Sequence, residues 1–455
     1  MRCFHSPIGL GASARLRNVS VATALLLISA LVNGTAANVD VLSYDVQIEP
    51  NIPRQSIEGK VTIRFRAASL PTDELQLSAG SLDILKVQEN GRSLAWQKAA
   101  TTLSIALPRL ATVRLQNDVR TVHIAYRGTP SRGIRFLPDA AQVFTAFATS
   151  EWMPCNDAPA DRARIALSVV VPAAHKVVAN GRAIGERRLG NGLKRSRWRQ
   201  DKSVPSYLFG FAAGPFLEVI DRSAHPTLRH LVSPTFSIDE ARQIFRETRS
   251  MMAFYESKSG VSYPETTYTQ VLVSTSAAQE VDGFALMSDA YGRRVLTDER
   301  RIWLGAHELS HQWWGNAVTN WSWREFWLNE GIATFMNAAY FEHRFGRDEY
   351  ARHIAAAQMK YRTVHAAGKD ASLVFPSWSA PSAEDRSLVY DKGAIVLHEL
   401  RLMIGDEAFW AGLRRYTQQH WGRAVNTADF QRAMEVAAGR SLEAFFQEWV
   451  YLAPR

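Results

Sequence analysis

The hydrophobic residues change period part-way along the chain, and that change limits the fold more than any other feature. From about residue 39 to 220 they alternate. Tyr44, Val46 and Ile48 alternate with Asp45, Gln47 and Glu49, and Val61, Ile63 and Phe65 with Thr62, Arg64 and Arg66. A strand turns successive side chains to opposite faces, so the pattern predicts sheets with one face on a core and one in water. Asn90-Gly91 and Gly190-Asn191-Gly192 lie between such runs. They predict tight hairpins, whose central residues must tolerate positive φ. From about Asp239 the period becomes helical, with helices predicted over 239–257, 298–315, 325–345, 348–364, 387–404, 406–420, 427–438 and 441–450. One strand-like run, Tyr268 to Ser274, interrupts them. Turn residues concentrate from Gly214-Pro215 to Pro226 and mark a boundary. The expected fold class is α+β, with a β-rich domain over 38–222 and a mainly helical domain over 223–455.

Composition removes several alternatives. With 46% hydrophobic and 21% charged residues the chain is of ordinary globular make-up, neither disordered nor fibrous. Two cysteines, Cys3 and Cys155, are too few for a disulfide scaffold or a multi-cysteine metal cluster. The net charge of +9 comes mainly from dispersed arginines. The most basic segment, Lys194-Arg195-Ser196-Arg197-Trp198-Arg199, follows the second hairpin signal and reads as a strand with its polar face in solvent. No nucleic-acid partner is expected.

The N-terminus reads as an export signal. Arg2, Arg15 and Arg17 precede the apolar run Val19–Val32, and small residues follow to Ala37. That order fits a secretory signal over 1–37, cleaved near Ala37, with a periplasmic or secreted destination. The apolar run has 14 residues, short of the roughly 20 needed for a spanning helix, so no stable membrane span is expected after cleavage.

The chemistry concentrates in His307-Glu308-Leu309-Ser310-His311. Residues four apart on a helix share a face about 6 Å apart, so two imidazoles there can bind one Zn²⁺ ion. Glu308 can hold the proton of a metal-bound water. A catalytic zinc takes three protein ligands and leaves one position for water. Glu330, in Trp327-Leu328-Asn329-Glu330-Gly331, lies nineteen positions after His311 on the next predicted helix. A short connection would let that helix fold back and bring Glu330 to both histidines. Tyr390, in Val389-Tyr390-Asp391-Lys392-Gly393-Ala394, is a candidate hydrogen-bond donor to an oxyanion.

These residues resemble a known family. HELSHQWWG followed by WLNEGIATF is similar to the gluzincin aminopeptidases, the aminopeptidase N and leukotriene-hydrolase group. Further resemblances are Pro154-Cys155-Asn156-Asp157-Ala158-Pro159, Tyr207 to Phe216, the VYDKGA segment and Leu442 to Val450. They run from about residue 40 to 450 in the family's order. The resemblance implies a saddle-like β-rich domain before a thermolysin-like zinc metallopeptidase domain. It implies one Zn²⁺ per chain on His307, His311 and Glu330, with Glu308 as general base and then acid and Tyr390 stabilising the transition state. The implied reaction is hydrolysis of the N-terminal peptide bond of peptides with a free N-terminus.

Three departures accompany it. The family's G-x-M-E-N segment has only its Glu here, as Glu280 in Ala277-Ala278-Gln279-Glu280-Val281. Glu280 is therefore the candidate anchor for the substrate's α-amino group, with Glu151 as a possible second. Asn337 stands where many relatives carry a Glu seven positions after the third ligand. The chain stops at Arg455, where longer relatives continue into further domains; the expected cleft is more open, with weaker discrimination by peptide length. The alternatives are a zinc endopeptidase or other zinc hydrolase on the same scaffold, or a non-catalytic binding module.

Overall fold

A computed structural model describes residues 39–67, 73–108, 119–374, 378 and 381–452. The export signal expected over 1–37 and Cys3 lie outside the described residues. A β-rich domain is followed by a mainly helical one.

The alternating runs form strands as their period requires. Val39–Asn51 pairs antiparallel with Ser56–Ala67, setting Tyr44 opposite Ile63 and Val46 opposite Val61. The alternate residues Tyr44, Val46, Ile48, Val61, Ile63 and Phe65 are all buried. The two strands lie at the centre of an eight-stranded sheet, where Val39–Asn51 also runs parallel to Arg162–Pro172. A three-stranded sheet (Glu74–Ser78, Thr102–Ala106, Trp96–Ala99) and a four-stranded one (Lys176–Ala179, Phe211–Gly214, Gln142–Thr145, Ile134–Leu137) complete this half. Both hairpin signals are tight turns with positive φ, at Asn90 (49°) and Gly91 (77°), and at Asn191 (61°) and Gly192 (73°). The basic segment lies in the strand Leu193–Pro205, with Trp198 buried and Arg197 and Arg199 exposed. Cys155 is a buried free thiol.

The second half has a five-stranded mixed sheet, ordered Leu217–Asp221, Thr227–Val232, Thr267–Val273, Phe284–Ser288, Ala278–Gln279. Its first strand lies ahead of residue 222 in sequence yet hydrogen-bonds to Thr227–Val232. Leu217–Asp221 and Ala278–Gln279 are its two edge strands. Helices pack on one core that includes Trp313, Trp327, Phe335, Tyr340 and Phe430. Several helices differ from the periodicity reading. The span 239–257 divides into Ile238–Ile244 and Thr248–Ser259. The break falls at Phe245, whose ring stacks on His230 of the sheet at 4.4 Å, so a tertiary contact overrides the local pattern. A short helix, Asp289–Thr297, is capped by the Ser288 hydroxyl and has no counterpart among the predicted helices. The span 298–315 reduces to Trp303–Ser310, because the chain turns sharply after His311. Trp327–Phe345 and Arg347–Ala366 follow the expected limits closely. The span 387–404 is a composite of Ala383–Ser387, a π-helical turn Leu388–Lys392, and Gly393–Ile404. Among the described residues no helix is long and apolar enough to cross a membrane.

The two halves meet at the turn that follows His311. Arg162 from the large sheet donates to Thr319 Oγ1 (2.6 Å) and to the Asn316 carbonyl (3.2 Å). Tyr207 donates its hydroxyl to the Gly315 carbonyl (3.0 Å) and accepts from Asn329 Nδ2 (2.9 Å). The β-rich half thereby holds both the turn and the start of the next helix.

Candidate active site

The Trp303–Ser310 helix is anchored by buried Leu304, Ala306 and Leu309. One turn of helix separates His307 from His311 and puts their Nε2 atoms 3.1 Å apart. His311 is oriented from behind, by a contact of 3.1 Å between Nδ1 and the Trp314 carbonyl. A protonated Nδ1 donates there and leaves Nε2 with its lone pair free, which is the usual arrangement of a metal-binding imidazole. This contact needs the turn at Gly315 (φ +133°), where a Cβ would come within 2.8 Å of His311 Nδ1.

The following helix, Trp327–Phe345, supplies Glu330, buried at 2% exposure. Its Oε2 lies 3.1 Å from His307 Nε2 and 3.4 Å from His311 Nε2. Three ligand atoms therefore converge on one point, as the spacing of His307, His311 and Glu330 leads one to expect. A tetrahedron with metal–ligand bonds of about 2.0–2.1 Å has edges of about 3.3–3.4 Å, so the separations fit three ligands of a zinc ion. The electrostatics fit a cation as well. Burial pushes His311 down, but Glu330 beside it, with Glu280 and Glu308, lifts it to about 10. Burial raises the Glu330 carboxyl, yet the two imidazoles outweigh that and hold it well below the usual range. The cluster thus stabilises positive charge at its centre.

Glu308 projects beside this cluster and is buried. Its Oε2 has no hydrogen-bond partner, and burial holds its carboxyl well above the ordinary value. A buried carboxylate with a free oxygen is costly unless a proton or ligand meets it. Tyr390 stacks on the His307 ring at 6.0 Å between centroids and 11° between planes. Burial, then the charge of Glu330 and a hydrogen bond to it, keeps the Tyr390 phenol protonated well above its normal range. The π-helical turn carries Tyr390, and the close crossing of Gly331 over Gly393 brings that turn to Glu330. A Cβ on Gly331 would meet Gly393 Cα at 3.0 Å, so neither helix could approach so closely with a side chain there.

Glu280 faces the same cavity, of about 640 Å³, as His307, Glu308, His311, Glu330 and Tyr390. The side chain is 2% exposed. Its Oε2 accepts from Gln279 Nε2 (2.8 Å), while Oε1 has no partner. Burial, countered by His311 and reinforced by Glu330, raises this carboxyl to about 7. Its backbone carbonyl accepts from Asn316 Nδ2 (3.0 Å), fixing the segment to the turn after His311.

Glu151 is placed elsewhere. Its carboxylate accepts from Ser81 N (3.0 Å), Ser81 Oγ (2.9 Å) and Arg132 Nε (2.9 Å). It braces two loops of the β-rich half and is not in the cavity wall. Asn337 does line the cavity, with a buried Oδ1 that has no partner. One wall residue, Phe147, has no counterpart in the sequence reading. Phe147 N donates to Gln279 Oε1 (2.9 Å), and Phe147, at φ +53°, stacks on Tyr207. Only its non-glycine left-handed backbone could have marked it, and sequence does not display that.

Comparisons with known proteins agree with this arrangement. The model of the peptidase M1 N-terminal domain matches residues 41–208, and that of the peptidase family M1 domain matches residues 244–449. The chain is 26% identical over 409 residues to the probable aminopeptidase 1 of Saccharolobus solfataricus, covering 83% of this chain and 49% of that protein. It is 26% identical over 458 residues to aminopeptidase N of Streptomyces lividans, covering 92% and 51%. The chain spans about half the length of the curated relatives it matches. It is also similar to the crystal structure of a two-domain M1 zinc metallopeptidase mutant bound to L-tryptophan, with TM-score 0.76 and 25% identity, covering 92% of this chain and 95% of that one.

Proposed function

The chain belongs to peptidase family M1, and from that premise we propose that it is a zinc aminopeptidase, hydrolysing the N-terminal peptide bond of peptides. One observation carries the reading: His307, His311 and Glu330 share a single cavity with Glu308, Tyr390 and the buried carboxylate of Glu280. His307, His311 and Glu330 would hold one zinc per chain. Bound there, zinc supplies Lewis acidity and lowers the pKa of a water from 15.7 to about 7.

Each remaining task falls to a side chain. Glu280 receives the substrate's α-ammonium on its unpartnered Oε1 and so sets the peptide to be cut after one residue. Glu308 takes a proton from the attacking water on its free Oε2 and passes it to the departing amine. Tyr390, kept as a neutral phenol, donates its O–H to the scissile carbonyl oxygen as negative charge builds there. The relative solved with L-tryptophan holds a ligand of the size that an N-terminal residue presents.

The test compares one peptide with a free and an N-acetylated terminus, with and without chelator. Zinc-dependent release of the first residue from the free form alone is expected. Equal cleavage of both forms would favour the endopeptidase alternative, and hydrolysis surviving complete metal removal would reject the zinc reading. We also propose that residues 1–37 are an export signal, that 38–222 and 223–455 are the two domains apart from the strand Leu217–Asp221, which pairs into the second domain's sheet, and that the enzyme acts outside the cytoplasm. Support comes from the basic start, the 14-residue apolar run and the small residues before Ala37. Mass spectrometry of protein recovered from the exported fraction should find a terminus near residue 38; retention of the intact chain inside cells would overturn it.

A further inference from the structure

Glu280 can receive an ammonium well only if its free oxygen is held in one place, and the group that holds it lies behind the cavity wall. Gln279 is 1% exposed and does not line the cavity that Ala278 and Glu280 line. Its side chain spans two groups. Oε1 accepts from Phe147 N at 2.9 Å, and Nε2 donates to Glu280 Oε2 at 2.8 Å. The orientation of the amide is forced. A backbone N–H can only donate, so the amide oxygen faces Phe147 and the amide nitrogen faces the carboxylate.

Phe147 N is itself fixed. Its residue has left-handed backbone, its ring stacks on Tyr207 at 6.3 Å between centroids, and its carbonyl lies 3.1 Å from the hydroxyl of buried Thr149. Tyr207 is bonded in turn to the Gly315 carbonyl and to Asn329. The amide of Gln279 is thereby pinned to the β-rich half. Two consequences follow for Glu280. An N–H on one carboxylate oxygen fixes the rotation of the group and leaves Oε1 as the unpartnered acceptor. A donor to the charged form also offsets part of the cost of burying it. Position 279 is one of the places where this chain departs from the G-x-M-E-N segment, and a methionine there has no N–H to give.

Resting on the reading of the site as an aminopeptidase, we propose that Gln279 is a positioning residue for the amine receptor: its amide ties the carboxylate of Glu280 to the Phe147 backbone and so sets how tightly a free N-terminus is held. Gln279 acts through Glu280 alone and has no part in bond breaking.

The experiment measures inhibition of the zinc-loaded full chain by L-leucine hydroxamate and by the same hydroxamate without its α-amino group. Both grip the metal, so the ratio of their inhibition constants isolates the amine. In the unsubstituted chain the amine should strengthen binding roughly 30-fold or more. Gln279→Met, which keeps the length and removes both hydrogen bonds, should cut that ratio on the order of tenfold while the amine-free compound binds within about threefold of its original strength. Gln279→Asn keeps a polar group in the buried site but is too short to reach Phe147 N and Glu280 Oε2 together, and it should show the same selective loss. In a Glu280→Gln background, Gln279→Met should change the ratio less than about twofold, because the two side chains act as one unit. Each ratio is read within one protein, so a general loss of folded enzyme does not imitate the result. A ratio kept within about threefold in either variant, an equal loss for both compounds, or a full further loss in the Glu280→Gln background would overturn the proposal while the aminopeptidase reading stands. A ratio near one in the unsubstituted chain would instead overturn Glu280 as the amine receptor and the aminopeptidase reading, and the role of Gln279 with them.

Discussion

Glu280→Gln should make the metal-free protein more stable and the zinc-loaded enzyme far less active. The carboxyl is buried, one oxygen has no partner, and its pKa is raised from 4.5 to about 7. The folded state therefore binds more protons than the unfolded state between those values, so this group lowers stability as pH rises from about 4.5 to about 7 and lowers it in full above that. The gap of about 2.5, at 1.36 kcal/mol for each pH unit, gives a penalty on the order of 3 kcal/mol at pH 8. A glutamine of the same shape keeps the acceptor for Gln279 Nε2 and carries no charge. In thermal unfolding of chelated protein, the substituted chain should gain a few degrees at pH 8 and much less at pH 5. Activity should move oppositely. A carboxylate–ammonium contact at about 3 Å, in an effective dielectric near 20, is worth about 5 kcal/mol before desolvation. Losing one member of such a pair typically costs about 2–5 kcal/mol, or roughly 30-fold to several thousandfold in kcat/KM for a free-amine substrate. Leucine anilide reports that loss. If the stability difference does not widen between pH 5 and pH 8, or if the activity falls less than threefold, Glu280 is not the buried amine receptor argued above.

Three further outcomes follow from the same geometry. Glu308→Gln should remove hydrolysis by on the order of 10²–10⁴ while zinc content stays at one per chain, and measuring both separates proton transfer from metal binding. Tyr390→Phe should lower turnover by on the order of 10²–10³, and a loss under threefold would reject its role as oxyanion donor. Glu151→Ala should destabilise the β-rich half by about 1–3 kcal/mol, since Ser81 and Arg132 lose their acceptor, yet leave the free-over-acetylated preference unchanged; a change in that preference would return Glu151 to the amine site.

The gathering of His307, His311 and Glu330 was legible because it depends on local rules. The helix repeat fixes the first two, and a short connection brings the third within 3.4 Å. Tyr390 was only weakly legible from its own segment and Glu280 only through the family resemblance, because nothing in their neighbours' periodicity signals a cavity. The strands themselves follow from alternation, but the parallel pairing of Val39–Asn51 with Arg162–Pro172 joins segments more than a hundred residues apart, and no local pattern encodes it. Glu151 illustrates the same limit in the site. Its position beside the P-C-N-D-A-P segment suggests an amine ligand, whereas its partner Ser81 lies 70 positions away.

The positioning of Tyr390 shows why such contacts escape a sequence reading and still decide the chemistry. Its segment departs from α-helical geometry for five residues, Leu388–Lys392. Buried Lys392 donates from Nζ to Asp370 Oδ1 (2.9 Å) and to the Ala371 carbonyl (2.7 Å), and Asp391 is held by Lys360 and by the Ser387 hydroxyl. The last two residues of the widened turn are thus tied down, and the Gly331–Gly393 crossing fixes its distance from Glu330. A regular helix would rotate residue 390 relative to these anchors. Three features that look unrelated in sequence (a glycine pair, a buried ion pair and one extra residue per turn) together aim the phenol at the ring of His307. Helical periodicity reports only that this segment is helical; where its functional side chain points is set by the parts that break the period.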